Sequence, residues 1–542
     1  MKWIICIAVF ISSAASAQNT RLLENQKDAW SISYTYVGEV KNGKPNGLGI
    51  AKYSTGTAIR YVGNFVDGMY NGQGTMLFTN GAFLTGNWTN GKLNGKGTNL
   101  TSDGALYIGE FSNGIKSGNG LMIFKDNSFN KGSFLNDKLG GGRVINLWTN
   151  GKTISEVEYA DDKRNGMGFQ YETSSKKLWE GEWKDDKWVQ AGTTGFNSFL
   201  KRTNLFSETT DDQVLLGVTD ADRYLKGMGY YYNLKKNKRY FGSFEKGKLV
   251  DGIVIGDTSR FIGALDDSGA KGYGYDFKFK HHYREGNFVL DQLNGNILDI
   301  DMAKRTVFYG TAVMGKYTGK AAFFNDKGNA FIGDYYNGDF TGEGLRLEGN
   351  GKAIAGTWKN GVLQKARSVV TKDGTVIPGK PKTFAEALNI VVRSYPGFFD
   401  DISGDISLDY SELYEDLDAT QSLMSFPGST GKDDILQDYD ENTFFVTSFI
   451  ETEDQSKARA KYNEIIKQLQ ACTISNSLVR KAVKLKGTPV AVNFSEKKTV
   501  TKFDLPTDNS SYEKFHIWLE LVKDEDDNYL VLLKAGERQE EE

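Results

Sequence analysis

The stretch GNWTNGKLNGKG, residues 86–97, sets glycines at Gly86, Gly91, Gly95 and Gly97 around a single tryptophan, Trp88. Asn90-Gly91 is the pair that closes a two-residue β-hairpin, because both residues tolerate the positive φ of a type I′ turn. Gly86, Gly95 and Gly97 offer no side chain on the strands beside that turn, so a ring from a neighbouring segment can lie against the backbone. Trp88 reads as such a ring, filling the space the next copy leaves.

The pattern recurs. Aligning on the glycine two positions after an aromatic or aliphatic residue gives Gly38, Gly63, Gly86, Gly109 and Gly132, then Gly181 after a degenerate copy at Glu156. The register resumes at Gly217, Gly242, Gly263, Gly286, Gly310, Gly333 and Gly356. A period of this size marks an array of supersecondary units, each burying its apolar face only against its neighbours. In YIGEFSNGIKSGNGLMIFKDN, Tyr107, Gly109 and Phe111 alternate with Ile108 and Glu110 and share one strand face, Asn113-Gly114 turns the chain, and Gly118 and Gly120 lie on the return.

These residues resemble the MORN repeat family, whose unit reads approximately Tyr-x-Gly-x-Phe/Trp-x-x-Gly-x-x-x-Gly-x-Gly-x-x-x-Phe/Tyr-x-Asn/Asp-Gly. YVGNFVDGMYNGQGTMLFTNG (61–81) and FIGDYYNGDFTGEGLRLEGNG (331–351) carry the resemblance best. It implies a mainly β fold, an elongated single-layer array of stacked hairpins. The family includes membrane-tethering proteins, lipid-kinase regulators, methyltransferases and cytoskeletal scaffolds, so it implies no one activity. The copies at Glu156 and Asn296 depart from the pattern, as does the longer segment 189–213.

The chain begins with Lys2, the apolar run Trp3–Ile11 and the small-residue pattern Ala15-Ser16-Ala17. That is the form of an export signal cleaved before Gln18. No later run approaches about 20 apolar residues, so no transmembrane helix is expected. Cys472 is then the single cysteine left, which excludes an intramolecular disulfide. With 62 glycines, 7 prolines and 13% aromatic residues, the glycines punctuate a folded chain and not a flexible linker.

The rhythm stops near Pro378 and Pro381, and Thr383 with Glu386 forms a helix-start signal before apolar residues at helical spacing. Strand-like TFFVTSFI, TPVAVNF, KFHIWLELV and NYLVLLKA surround a second helix, SKARAKYNEIIKQLQAC, which fits a small two-layer α+β domain. The expected organisation is a signal peptide 1–17, an N-terminal segment 18–33, array parts 34–188 and 214–365 about an insertion or bend at 189–213, a linker 366–382 and an acidic domain 383–542. Residues 383–542 carry 17 Lys+Arg against 31 Asp+Glu, net −14; the remainder of the 66 and 69 in the chain leaves 49 against 38 for residues 1–382, net +11. The split suits an array facing an anionic partner, two domains that attract one another, or simple solvation.

No catalytic constellation emerges, and no cofactor or metal site is expected. Cys472 continues the apolar stripe of Tyr462, Ile465, Ile466 and Leu469, so it reads as core and not as a nucleophile for His516. His281 and His282 are adjacent and would point to opposite faces of a strand. Asp400, Asp401, Asp405 and Asp409 lack the spacing of an EF-hand loop. The Gly-x-Gly pairs follow turns and open no helix, so they hold no dinucleotide. Phe65, Trp88, Phe111, Trp183, Tyr335 and Trp358 fall at one position of successive copies and form a candidate binding ladder, with Gly63, Gly86, Gly109, Gly132, Gly333 and Gly356 as structural glycines.

The leading expectation is an exported bacterial binding or scaffold protein without enzymatic activity, periplasmic, cell-surface or secreted. Its partner would be a protein or an envelope polymer, and not a nucleic acid. One alternative is an envelope enzyme with its active site among the C-terminal carboxylates and the array holding a polymeric substrate. Another is association of the array with an anionic membrane surface.

Overall fold

The computed structural model describes residues 20–537 apart from 54, 149–150, 193–205, 279–281, 326, 350, 372–374, 408–413, 415–416, 439–441, 477 and 480. The export signal therefore lies outside the described residues, as do His281, Asp409 and most of the segment 189–213. The chain divides into two compact units, Met1–Asp339 and Phe340–Glu542.

In the first unit the hairpins form two antiparallel sheets whose strands follow chain order, one from Thr20–Lys27 to Lys187–Ala191, the other starting at Phe206–Thr209 and reaching Ala330–Tyr336. Asn90 and Gly91 take φ of 49° and 81°, the turn expected of them. Just after the first-strand glycine the pairing slips by two residues, as between Gly38 and Val40, Gly63 and Phe65, and Gly109 and Phe111. This recurring β-bulge removes Glu39, Asn64 and Glu110 from the ladder, and a tyrosine compensates for the carbonyl each leaves. The Tyr36 hydroxyl donates to Glu39 O at 2.6 Å, Tyr61 to Asn64 O at 3.2 Å and Tyr107 to Glu110 O at 3.0 Å.

The bulge also locates the degenerate copy. Its slip falls between Val157 and Tyr159, and Val157 pairs with Gly168, so Val157 and not Glu156 holds the glycine position. Successive hairpins are joined at their tips as well as along their strands. Gly91 N donates to Tyr70 O at 2.9 Å, Gly114 N to Leu93 O at 2.8 Å, Gly315 N to Leu293 O at 2.8 Å and Gly338 N to Tyr317 O at 2.9 Å.

Each sheet has two different faces. One carries the glycines and rings, and gathers Tyr36, Tyr61, Phe65, Trp88, Phe111 and Trp183 into a core belonging to a single sheet. The other face packs the two sheets together, joining Phe129, Leu147, Ile154 and Tyr171 of the first to Tyr230, Phe241 and Ile253 of the second. Phe129 and Phe241 rings lie 5.2 Å apart, Phe83 and Tyr283 4.8 Å apart. Tyr283 donates to Thr98 Oγ1 at 2.9 Å, and Arg260 spans to the carbonyls of Gly104 at 3.0 Å and Phe124 at 2.9 Å. The mainly β array of hairpins is thus as the sequence implies, but the two parts of the array face each other instead of continuing as a single layer. Large apolar residues such as Phe83 and Phe129 on the face opposite the glycines need that cover.

The second unit opens with the strands Asp339–Leu347, Ala353–Lys359, Val362–Val370 and Val376–Pro378. Helix α1, Phe384–Ser394, starts where Thr383 Oγ1 accepts from Glu386 N at 3.1 Å, while the Glu386 carboxylate accepts from Lys382 N at 2.7 Å. Seven antiparallel strands then form one sheet in the order Ser403–Ile406, Asp418–Ser422, Asp433–Gln437, Thr443–Thr452, Tyr529–Gly536, His516–Lys523 and Lys498–Asp504. Helix α2, Gln455–Ala471, capped by Asp454, buries Tyr462, Ile465, Ile466 and Leu469. This is the expected small α+β arrangement with a larger sheet. The run TPVAVNF is not one of its strands: Pro489 has no N–H, and threonine hydroxyls replace ladder carbonyls, Val490 N donating to Thr501 Oγ1 at 2.9 Å.

Candidate functional site

The ladder positions are brought to equivalent places, and all are buried: Phe65 at 1% exposure, Trp88 at 3%, Phe111 at 5%, Trp183 at 4%, Tyr335 at 9% and Trp358 at 2%. Phe65 is surrounded by Tyr36, Tyr61 and Tyr70, with ring centroids 4.8 to 5.4 Å away. Trp88 packs edge-on to Tyr61 at 5.5 Å and donates its indole N–H to Gly74 O at 2.9 Å. Phe111 packs on Tyr107 at 5.2 Å, and Tyr335 on Phe308 at 5.2 Å and Phe331 at 5.5 Å. The Arg164 guanidinium lies 4.2 Å from the Trp183 ring. Trp358 stacks on Phe340 at 4.6 Å with Arg346 at 4.6 Å. Ring faces so enclosed present no platform to a surface ligand, because other side chains occupy them.

The glycines explain this closure. A Cβ on Gly97 would stand 2.7 Å from Thr85 O and 3.3 Å from the Phe111 ring; on Gly86 it would stand 2.6 Å from Gly97 Cα. On Gly63 it would lie 2.5 Å from Gln73 O, on Gly109 2.6 Å from Gly120 Cα, on Gly132 2.5 Å from Arg143 O and on Gly356 2.9 Å from Leu363 Cδ1. Gly333 pairs with Ala321. Gly95 has another reason: its φ is 78° and only Asn87 Nδ2, at 3.9 Å, comes within contact range. Trp88 reaches back to the copy before it by donating to Gly74 O, and Phe111 lies over Gly97, whereas Gly49, Gly74 and Gly120 are covered by Tyr36, Tyr61 and Tyr107 of their own copies; Trp88 thus fills a space beside the preceding copy and not the next.

The remaining candidates are not brought together. Cys472 is 4% exposed at the end of α2, and burial pushes its thiol up to about 11. His516 Nδ1 lies 2.8 Å from Asp504 Oδ1. His282 pairs with Asp299 at 2.7 Å, a hydrogen bond that raises its pKa. Asp405 is bonded to Arg346 at 3.1 Å. Among the described residues no cluster of three metal-ligating side chains occurs, and no helix is long and apolar enough to cross a membrane.

What sequence reading passed over lies at the hairpin tips. Asn42, Asn90, Asn113, Asn136, Asn337 and Asn360 begin their turns with φ between 49° and 55°. At two neighbouring tips the same position holds Leu290, φ 51°, and Met314, φ 48°. These side chains are 55% and 43% exposed, beside Val289 and Val313, and Tyr336 on the following tip is 70% exposed. A branched or long apolar residue is disfavoured both in this left-handed conformation and in water. The only signal in the sequence is the departure of "VLDQ" and "VMGK" from the Asn-Gly rule.

No curated protein matches this chain. A solved quinonprotein alcohol dehydrogenase-like protein from Bacteroides thetaiotaomicron shares 10% identity over 82% of this chain and 94% of its own, at a TM-score of 0.11. At that score the likeness does not extend to the fold. The MORN repeat model matches residues 36–58, 61–83, 85–104 and 107–129. Repeats of this family point to a binding or scaffolding role. Spacing and bulge agree in all four matched copies, with the tyrosine hydroxyl missing at Leu84 and the ring replaced by Val40 in the first, and residues 36–129 of this chain are four tandem repeats of the MORN family.

Proposed function

We propose that this chain is an exported, non-enzymatic scaffold whose array binds a protein partner through the row of hairpin tips at Val289-Leu290, Val313-Met314 and Tyr336. The observation that carries this reading is the exposed apolar residue at two successive left-handed turn positions, Leu290 and Met314, where other hairpins place asparagine, aspartate or, at Lys246, lysine. Backbone outliers of this kind persist where something other than folding retains them. The tips are neighbours, since Gly315 N bonds to Leu293 O and Gly338 N to Tyr317 O, so the exposed apolar side chains stand on adjacent hairpins.

The test is the double variant Leu290→Asn/Met314→Asn in the full chain, compared with the parent in affinity capture from envelope extract. Asparagine relieves the left-handed turn, so the variant melts at the same or a higher temperature while the captured protein is lost. A folded variant that keeps every captured protein refutes the reading. Binding to anionic phospholipid vesicles that persists after removal of protein partners would instead make the row of tips a membrane contact.

A further inference from the structure

Within the second unit, the strand Val362–Val370 and the loop Ser425–Gly431 enclose a cleft of about 400 Å³. Its volume is that of a small-molecule site. The charged side chains lining it are Lys365 and Lys380, both exposed, and no carboxylate lines it. This contrasts with the net charge of −14 over residues 383–542. Neighbouring Lys432 is held by Glu451 at 3.0 Å, whereas Lys365 and Lys380 have no carboxylate partner among the described residues.

The loop supplies two further kinds of group. Gly428 and Gly431 adopt φ of 83° and 90°, and among the described residues their amides donate to no other backbone group. Amides in such a turn form a concavity suited to an anion. The hydroxyls have their protons directed inward: Ser429 Oγ to Asp433 Oδ2 at 3.4 Å, Thr430 Oγ1 to Ser448 O at 3.2 Å and Ser422 Oγ to Met424 O at 2.8 Å. Asp433, 2% exposed beneath the loop, is the buried acceptor that fixes Ser429. The oxygens of Ser429 and Thr430 are therefore left as acceptors. A ligand meeting these groups brings an oxyanion for the lysines and amides and hydroxyl donors for the serine and threonine oxygens.

We infer that this cleft binds an anionic monosaccharide unit, a sugar bearing a carboxylate or a phosphate, at a site separate from the row of hairpin tips. Lys365 and Lys380 hold the anion, and Ser429 and Thr430 accept from the sugar hydroxyls.

The test is isothermal titration of the full chain with glucuronate, glucose 6-phosphate, glucose and inorganic phosphate. Both anionic sugars bind, and glucose and phosphate alone bind at least tenfold more weakly. In Lys365→Gln/Lys380→Gln, a change confined to exposed side chains, affinity for the anionic sugars falls at least about tenfold, as expected for loss of charge-assisted hydrogen bonds, with an unchanged melting temperature. Thr430→Val weakens the sugars without altering the response to phosphate. Absence of binding by both anionic sugars, equal binding of glucose, or undiminished binding by the folded lysine variant overturns the assignment.

Discussion

The indole N–H of Trp88 donates to the carbonyl oxygen of Gly74 at 2.9 Å, tying the ring of one copy to the returning strand of the copy before it. Trp88→Leu removes this bond and part of a ring buried against Tyr61 and Tyr70. The expected loss is about 2–4 kcal/mol, read as a lower denaturant midpoint with unchanged slope. A loss below about 0.5 kcal/mol would mean that the site collapses around leucine.

Gly95 and Gly97 sit two residues apart and are glycine for different reasons. Gly95→Asn is nearly neutral, because asparagine accepts a positive φ and the space is open. Gly97→Asn must displace Thr85 O, Leu93 and the Phe111 ring, at a cost of about 1–3 kcal/mol or more. Equal melting temperatures for the two variants would contradict this assignment.

Glu285 accepts hydrogen bonds from Tyr273 and from Tyr283, the latter at 2.8 Å, and burial raises its pKa above the ordinary 4.5. The folded chain thus holds a proton that the unfolded chain releases, so this residue's contribution is fully present below about pH 4.5 and declines as pH rises through the elevated folded value. Glu285→Gln flattens that decline. Urea titrations between pH 4 and 8 should show the variant gaining on the parent with rising pH; a constant difference would place Glu285 in water.

In the second unit Lys534 and Glu520 form an ion pair at 2.5 Å, with side chains 2% and 9% exposed. Removing one partner strands the other charge, so Lys534→Met alone costs about 3–5 kcal/mol. Lys534→Met/Glu520→Leu restores most of it. Calorimetric melting of the single and double variants checks the order, and a double variant worse than the single would reverse the argument.

The features visible beforehand were local ones. Asn90-Gly91, the Gly86–Gly97 spacing and Thr383 each act through φ, missing side chains or one nearby hydroxyl, so residue type alone reveals them. The pairing of the two sheets was hidden because the residues that make it, such as Phe83, Leu106 and Phe129, recur at the same 23-residue spacing as the glycines and so read as part of the repeat, with nothing in their type to say that a second sheet covers them. Val157 concealed the register of its copy because a bulge leaves no mark when the glycine is replaced. Strands Ser403–Ile406, Asp418–Ser422 and Asp433–Gln437 were missed because they are short and rich in aspartate, serine and threonine, residues that usually mark loops. The binding ladder looked open because a single sheet would expose part of it. The structure encloses each of its rings with neighbouring side chains.

Leu84 stands where neighbouring copies carry a tyrosine, so the ring over Gly97 is Phe111 of the following copy, whereas Tyr61 and Tyr107 cover Gly74 and Gly120 from within their own copies. A chain emerging from the ribosome therefore holds Gly97 without its ring until Phe111 has followed, and a chain that stops before Phe111 keeps this gap at its end. That end is the position at which a stalled or truncated chain offers bare backbone to a chaperone or to another strand.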